Sequence, residues 1–324
     1  MAIPRVGLLT DFGGPPMTST TIPAARADSG APPGRRRHVS HTWAIVGFTT
    51  PFLALFALFY VLPIGYALGE SFTKLERPSA FAPATTVFGG LEQYSRVFHD
   101  AAFWDSLSRV LVLVVTLIPV AIVLGLVFAL LIDSPVVKGR KFFRLAFFAP
   151  YAVPGVVAAI MWGFFYAPTL SPLPDLANAL KPLEPGAIMF ALANIIVWSN
   201  AGFNMLIMYS ALQSIPQELY EAARIDGAGQ LRTAWSIKVP LVMPSIIMTA
   251  VLSLIGTLQL FNEPTVLRKL TEAVGSDFTP NMLVFATSAV PNYSLAGAFS
   301  VVLALSTCVL SFIFLRVTQK RAFA

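Results

Sequence analysis

Residues 213–240 read QSIPQELYEAARIDGAGQLRTAWSIKVP and separate two long apolar stretches of the chain. The helix formers around Glu221 predict a first short helix. Gly227 and Gly229 predict a break in the backbone, because glycine ends helices at little cost. A second short helix is expected from about Gln230. The stretch therefore predicts two short helices joined at a glycine corner.

The start of the first short helix carries its own signals. Ser214 is the candidate N-cap, and Pro216 and Gln217 suit the first helical turn. Small side chains at Ala222 and Ala223 would let another backbone approach this helix closely. These features favour a surface element that contacts a partner.

Six apolar runs without Lys, Arg, Asp or Glu lie outside this stretch. Each reaches the roughly 20 residues that a helix needs to cross a ~30 Å hydrocarbon core. Charged residues make up only 12% of the chain and mean hydropathy is +0.72, whereas soluble domains carry about 25% charged residues. The sequence therefore predicts an all-α membrane protein with six transmembrane helices. They are expected at residues 43–69, 110–132, 145–167, 186–212, 239–262 and 295–315.

Residues 1–38 differ from the rest, since they are rich in Pro, Gly, Ala, Ser and Thr and end in a basic cluster. Such a segment cannot bury enough apolar surface to offset the entropy of ordering, so a disordered tail is expected. Residues 39–324 form the predicted membrane domain. Whether translation starts at Met1 or Met17 stays open.

The basic residues predict how the chain is oriented in the membrane. With the N-terminus in the cytoplasm, the cytoplasmic segments carry fifteen Lys and Arg and the outer segments carry seven. The positive-inside rule then places both termini in the cytoplasm. The basic residues form no single stripe, so the net charge of +6 does not indicate nucleic-acid binding.

Several chemistries have no sequence signature in this chain. One cysteine and three histidines make a metal site improbable, and no metalloprotease or serine-hydrolase motif occurs. No G-x-x-x-x-G-K-[ST] phosphate loop is present, so the chain has no ATP site of its own. We expect no catalytic residues and no cofactor in this chain, which indicates that it is not itself an enzyme.

The 213–240 stretch resembles the EAA loop of ATP-binding-cassette importer permeases, most closely the carbohydrate-uptake, maltose-type branch. Nine positions match the pattern of that loop: Glu221, Ala222, Ala223, Asp226, Gly227, Ala228, Trp235, Ile237 and Pro240. The resemblance covers about residues 43–318 and implies the type I importer permease fold. The Gly-Gly-Pro triplet often found after the fifth helix is absent; Glu263-Pro264 stands nearby.

The resemblance also implies partners and a mechanism. Residues 213–238 would be the cytoplasmic coupling loop that docks on a separate ATPase. The residues implied in coupling are Glu221, Ala222, Ala223, Asp226 and Gly227. Two ATPase subunits would bind ATP and Mg, a second permease would complete a heterodimer, and an extracytoplasmic solute-binding protein would deliver the substrate. The expected location is the bacterial plasma membrane.

Polar residues inside the fourth and fifth runs are candidates for a solute path. Polar groups in lipid are costly and should face the interior of the helix bundle. They either bind sugar hydroxyls or form hydrogen bonds between packed helices. The family register favours Ser253 among them. The candidates are Asn200, Asn204, Ser253, Thr257 and Gln259, of which Gln259 would point elsewhere on a regular helix.

The substrate class follows from charge. No Lys or Arg lies inside the runs, which favours a neutral di- or oligosaccharide over an anion. Trp162, Tyr166 and Trp198 would either stack on sugar rings or belong to an interfacial aromatic belt or to the packed core. A permease for another solute, such as glycerol phosphate or an amino acid, is the main alternative. An ion-coupled secondary transporter is the other, although such proteins usually carry charges at mid-membrane.

Overall fold

The computed structural model describes residues 42–77, 85–290 and 292–322. The predicted tail, residues 1–38, lies outside the described residues. The chain divides into two units, residues 1–55 and residues 56–324. In the first unit the described residues form helix α1 (Thr42–Phe56), whose last residue belongs to the second unit.

Helices dominate the second unit, as expected for an all-α membrane protein. A two-stranded antiparallel hairpin, which pairs Thr73 with Phe88, is the one sheet in the described part of the chain and was not predicted. A π-helical turn (Ala57–Val61) precedes the first helix of this unit. The bounds are α2 (Leu62–Glu70), β1 (Thr73–Glu76), β2 (Thr85–Phe88), α3 (Glu92–His99), α4 (Ala101–Asp133), α5 (Arg140–Phe148), α6 (Gly155–Tyr166), α7 (Pro174–Leu180), α8 (Ile188–Leu212), α9 (Gln217–Ile225), α10 (Gln230–Thr233), α11 (Val239–Leu258), α12 (Asn262–Leu267), α13 (Pro280–Ala289) and α14 (Tyr293–Ala322).

Among the described residues, five helical segments are long and apolar enough to cross a membrane. They match the first, second, fourth, fifth and sixth predicted spans. The second extends well before its predicted start, because α4 begins at Ala101 and includes the charged residues Asp105 and Arg109 ahead of the apolar run. The segments are Ile45–Glu70, Ala101–Asp133, Ile188–Leu212, Gln230–Leu267 and Tyr293–Thr318.

The third predicted span, residues 145–167, is a bent pair of helices rather than one rod. The segments Arg140–Ala152 and Gly155–Tyr166 meet at 94°. Pro154 explains the break, because a proline disfavours helical backbone at the residue before it, and Val153 is extended (φ −80°, ψ 123°). With this pair counted as one crossing, the described chain has six spans.

The core of the second unit forms where α4 packs along α8, with α11 against both. Buried aliphatic side chains such as Leu113 and Leu192 fill the contact. Small residues bring the backbones together, as is typical of membrane helices, which gain little from the hydrophobic effect in lipid. A Cβ on Gly202 of α8 would overlap the carbonyl group of Phe147, which fixes α5 against α8.

Candidate functional site

The 213–240 loop contains one separate short helix, α9, whose first residue differs from the prediction. The predicted second short helix, α10, is not separate, because it continues through a π-helical turn (Ala234–Lys238) into α11. Pro216 is the N-cap residue and Gln217 is the first helical residue. Ser214 does not cap the helix; its hydroxyl donates instead to the carbonyl of Ala211 at 2.7 Å. The N-cap prediction for Ser214 was therefore wrong, because the preceding helix turn offers its side chain a nearer acceptor.

The glycine corner is a Schellman motif. The amide of Ala228 donates to the carbonyl of Ala223 at 2.9 Å, and the amide of Gly227 donates to the carbonyl of Arg224 at 3.0 Å. Gly227 has φ +72°, in the left-handed region that glycine adopts without strain. α10 then starts after Gly229, close to the predicted Gln230. The corner is thus held by hydrogen bonds within a few residues of sequence.

The loop presents an apolar surface to its surroundings. Ile225, Leu231 and Trp235 are 86%, 77% and 65% exposed. Large apolar side chains grouped on an exposed element mark a contact surface for another protein or for lipid. Four of the predicted coupling residues are exposed with them: Glu221, Ala222, Asp226 and Gly227.

Ala223 differs from the other predicted coupling residues because it is buried against its own chain. The neighbouring Ala222 is exposed. Glu221 accepts a hydrogen bond from the side-chain amide of Gln217 at 3.1 Å, which orients its carboxylate at the surface.

All five predicted path residues line a single cavity of about 440 Å³ between α4, α8 and α11. Each helix contributes small or polar side chains to the wall. The predicted residues in it are Asn200, Asn204, Ser253, Thr257 and Gln259. The sequence pattern alone did not identify Tyr151, Phe203, Asn262 and Glu263, which also line the cavity.

The end of α11 explains how Gln259 reaches this cavity. The helix stops at Leu258, so the regular-helix geometry that pointed Gln259 elsewhere does not apply. The backbone carbonyl of Gln259 accepts from the side chain of Asn281 at 2.8 Å, and that of Leu260 accepts from Thr279 at 2.9 Å. Irregular backbone at membrane depth occurs where such partners satisfy it or where it lines a cavity.

The amides and hydroxyls in the cavity wall keep free hydrogen-bonding capacity. Asn200 donates to the carbonyl of Ile196 at 2.9 Å, and Thr257 donates to the carbonyl of Ser253 at 2.8 Å, both within their own helices. An asparagine amide has two donors and an acceptor oxygen, so one bond leaves the rest available. Asn204 instead joins two helices, since its amide donates to Ala121 of α4 at 3.4 Å.

Glu263 is the one charged residue in the lining of this cavity. It is partly buried at the start of α12, where a Cβ on Gly155 would overlap its carboxylate. No ion pair to Glu263 is present in the described part of the chain. The lining thus contains one acidic side chain and no basic one, a composition that disfavours anions.

Two stacked aromatic side chains at the cavity come from different spans, Tyr151 from the bent third span and Phe203 from α8. The rings of Tyr151 and Phe203 stack with centroids 4.7 Å apart, and both face the cavity. Of the predicted aromatics, Trp162 packs edge-on against Trp198 at 5.9 Å and lies 5.7 Å from Tyr166. The cavity lining includes none of these three. The position of Tyr151 between two prolines was the available sequence signal for the bend.

Comparison with known proteins identifies the family. Residues 102–323 match the family described as binding-protein-dependent transport system inner membrane component. A probable ABC transporter permease protein of Bacillus subtilis, YurN, is 31% identical over 260 residues, covering 74% of this chain and 87% of the relative. The diacetylchitobiose uptake system permease NgcF of Streptomyces coelicolor is 31% identical over 252 residues, covering 70% of each chain.

Further relatives and solved structures agree. The sn-glycerol-3-phosphate transport system permease UgpA of Salmonella typhi is 31% identical over 207 residues, 62% of this chain and 68% of the relative. A bacterial ABC transporter that imports alginate has the same fold, with a TM-score of 0.72 over 86% of this chain and 96% of that one at 19% identity. The six spans and the 213–240 loop are therefore parts of a known fold. The chain belongs to the family of binding-protein-dependent transport system inner membrane components.

Proposed function

We propose that this permease subunit moves a neutral di- or oligosaccharide into the cytoplasm by alternating access, driven by ATP that a partner hydrolyses. The observation that carries the proposal is the cavity lined by Asn200, Ser253 and Thr257, with stacked aromatic rings and no cationic side chain. Amides and hydroxyls bind sugar hydroxyls, and the aromatic pair offers an apolar face to a sugar ring.

The coupling loop supports the assignment of partners. α9 and α10 expose apolar side chains around Gly227 that suit docking on an ATPase. In this proposal two ATPase subunits bind ATP and Mg, a second permease completes the path, and an extracytoplasmic protein delivers the solute. Both termini lie in the cytoplasm in keeping with the distribution of Lys and Arg. The relative NgcF, named for diacetylchitobiose uptake, fits this substrate class.

An anionic substrate is the competing proposal, because the relative UgpA is named for sn-glycerol 3-phosphate. The charge of the cavity argues against it. Glu263 would repel a phosphate, and no lysine or arginine in the lining would offset that repulsion. The neutral saccharide is therefore the substrate class that this geometry supports best.

Reconstitution tests the proposal. The chain is purified with the proteins that accompany it in native membranes, and the complex is placed in liposomes with ATP inside and the binding protein outside. We expect ATP-dependent uptake of a neutral saccharide that stops without the binding protein. Uptake of glycerol 3-phosphate with no uptake of any neutral saccharide would overturn the substrate assignment, and co-purification of the chain alone would overturn ATP coupling.

A further inference from the structure

A buried ion pair lies at the end of the bundle that carries the coupling loop. Asp133, the last residue of α4, pairs with Lys238, the residue before α11. Only 11% and 13% of their side-chain surfaces are exposed. The ion pair Lys181–Glu184 is 61% and 59% exposed, as is usual at surfaces. Burying two charges removes them from water at a cost, so such a pair is weak evidence for a role in stability alone.

Two further side chains complete the cluster. Gln213, just after α8, donates from its side-chain amide to the second carboxylate oxygen of Asp133 at 2.7 Å. The ammonium group of Lys238 lies 5.1 Å from the ring centroid of Tyr220, which is within the range of a cation–π contact. Burial raises the pKa of the Tyr220 phenol, and the charge of Asp133 adds to the rise, so the phenol stays neutral.

The four residues come from four different elements. Tyr220 belongs to α9 of the coupling loop, while Asp133, Gln213 and Lys238 stand at the ends of α4, α8 and α11. These three helices also form the wall of the cavity. Ser253 lies fifteen residues beyond Lys238, which is about 22 Å along a helix. The cluster thus joins the surface loop to every helix that contributes a predicted path residue.

We propose that the Asp133–Lys238 ion pair transmits movement of the coupling loop to the helices that line the cavity. Chain connectivity links α9 to α8 and α11, and α4 packs along both of these helices. The ion pair in addition ties the last residue of α4 directly to Lys238, which contacts Tyr220 of α9. Charges that are largely shielded from water keep a more defined geometry than a water-exposed pair does. Both residues are positioning residues and do not touch the solute. The proposal rests on the coupling role assigned to the 213–240 loop.

The test separates coupling from folding. Asp133→Asn, Lys238→Met and the double variant, which leaves no unpaired charge, are compared with wild type in the complete reconstituted transporter. Glu184→Gln removes the exposed ion pair as a control. We expect ATP hydrolysis to continue while solute transported per ATP falls about fivefold or more, the size of common coupling energies. The exchanged pair Asp133→Lys with Lys238→Asp should recover most of this ratio.

Other results would overturn the proposal. A proportional fall of hydrolysis and uptake would indicate a structural role, and unchanged rates in the double variant would indicate none. If a single variant fails to reach the membrane, the double variant still tests whether the ion pair has a role in coupling. Hydrogen exchange at α9 gives a readout that does not depend on transport, and we expect it to rise when the pair is removed. If the wild type shows no ATP-driven uptake, the proposed function is wrong. If hydrogen exchange at α9 is unchanged when the ion pair is removed, the role proposed for the ion pair is wrong, whatever the uptake result.

Discussion

Gly125 of α4 faces Asn204 of α8 so closely that a Cβ on the glycine would lie 2.7 Å from the Cβ of the asparagine. The amide of Asn204 donates to Ala121, one turn before the glycine. Asn204 therefore has the position expected from both interpretations of its polar side chain. It forms a hydrogen bond between two helices, and it also lines the cavity.

This contact predicts the effect of a larger residue at Gly125. Gly125→Val forces α4 away from α8, and overpacking of this kind costs about 1–3 kcal/mol. We expect a lower thermal unfolding temperature in detergent. Gly65→Val is the matched control, because a Cβ at Gly65 meets nothing within 4 Å. Equal unfolding temperatures for the two variants would contradict the close approach of these helices.

The glycine corner of the 213–240 loop predicts that Gly227 and Gly229 respond differently to substitution. Gly227 has φ +72°, whereas Gly229 has φ −70°, and a Cβ on either meets nothing within 4 Å. Gly227→Val should strain the backbone by about 1–2 kcal/mol and lower uptake. Gly229→Ala should transport like wild type. The measurements are solute uptake and co-purification of the ATPase. If neither changes in Gly227→Val, the corner has no role in coupling.

The position of the cavity predicts that a bulky side chain blocks transport only when it lies on the face of α11 that lines the cavity. Ser253→Phe projects into the cavity, and we expect uptake to fall at least tenfold while the ATPase still co-purifies, since a barrier of about 1.4 kcal/mol suffices. Met248→Phe places the same ring on an exposed side of α11 as the control. Substantial uptake by Ser253→Phe would remove this cavity from the solute path.

The charge of Glu263 predicts how the transporter treats acidic sugars. A uronate oligosaccharide should compete poorly with the neutral substrate in wild type. Removing one negative charge at contact distance is worth about 1 kcal/mol in a water-like medium. Glu263→Gln should therefore improve competition by the acidic sugar roughly fivefold, with little change in competition by a neutral sugar. Competition assays in liposomes measure this, and identical inhibition curves for wild type and variant would show that Glu263 does not act on selectivity.

The sequence by itself determined five of the six spans and the glycine corner. Each span is a local property, because lipid requires about 20 apolar residues in a row whatever the rest of the chain does. The corner at Gly227 is likewise closed by hydrogen bonds to residues within five positions. The matching loop pattern then pointed to the family before any contact was known.

Only the tertiary structure decided which side chains meet. Tyr151 and Glu263 reach the cavity because Pro154 bends the third span and α11 stops at Leu258, and neither residue shows a polar helix-face pattern of its own. Asp133 and Lys238 are 105 residues apart in sequence. Their pairing depends on α4 ending and α11 beginning at the same level of the bundle. Helix period and composition do not encode that relation, since it is set by how packed helices align with one another.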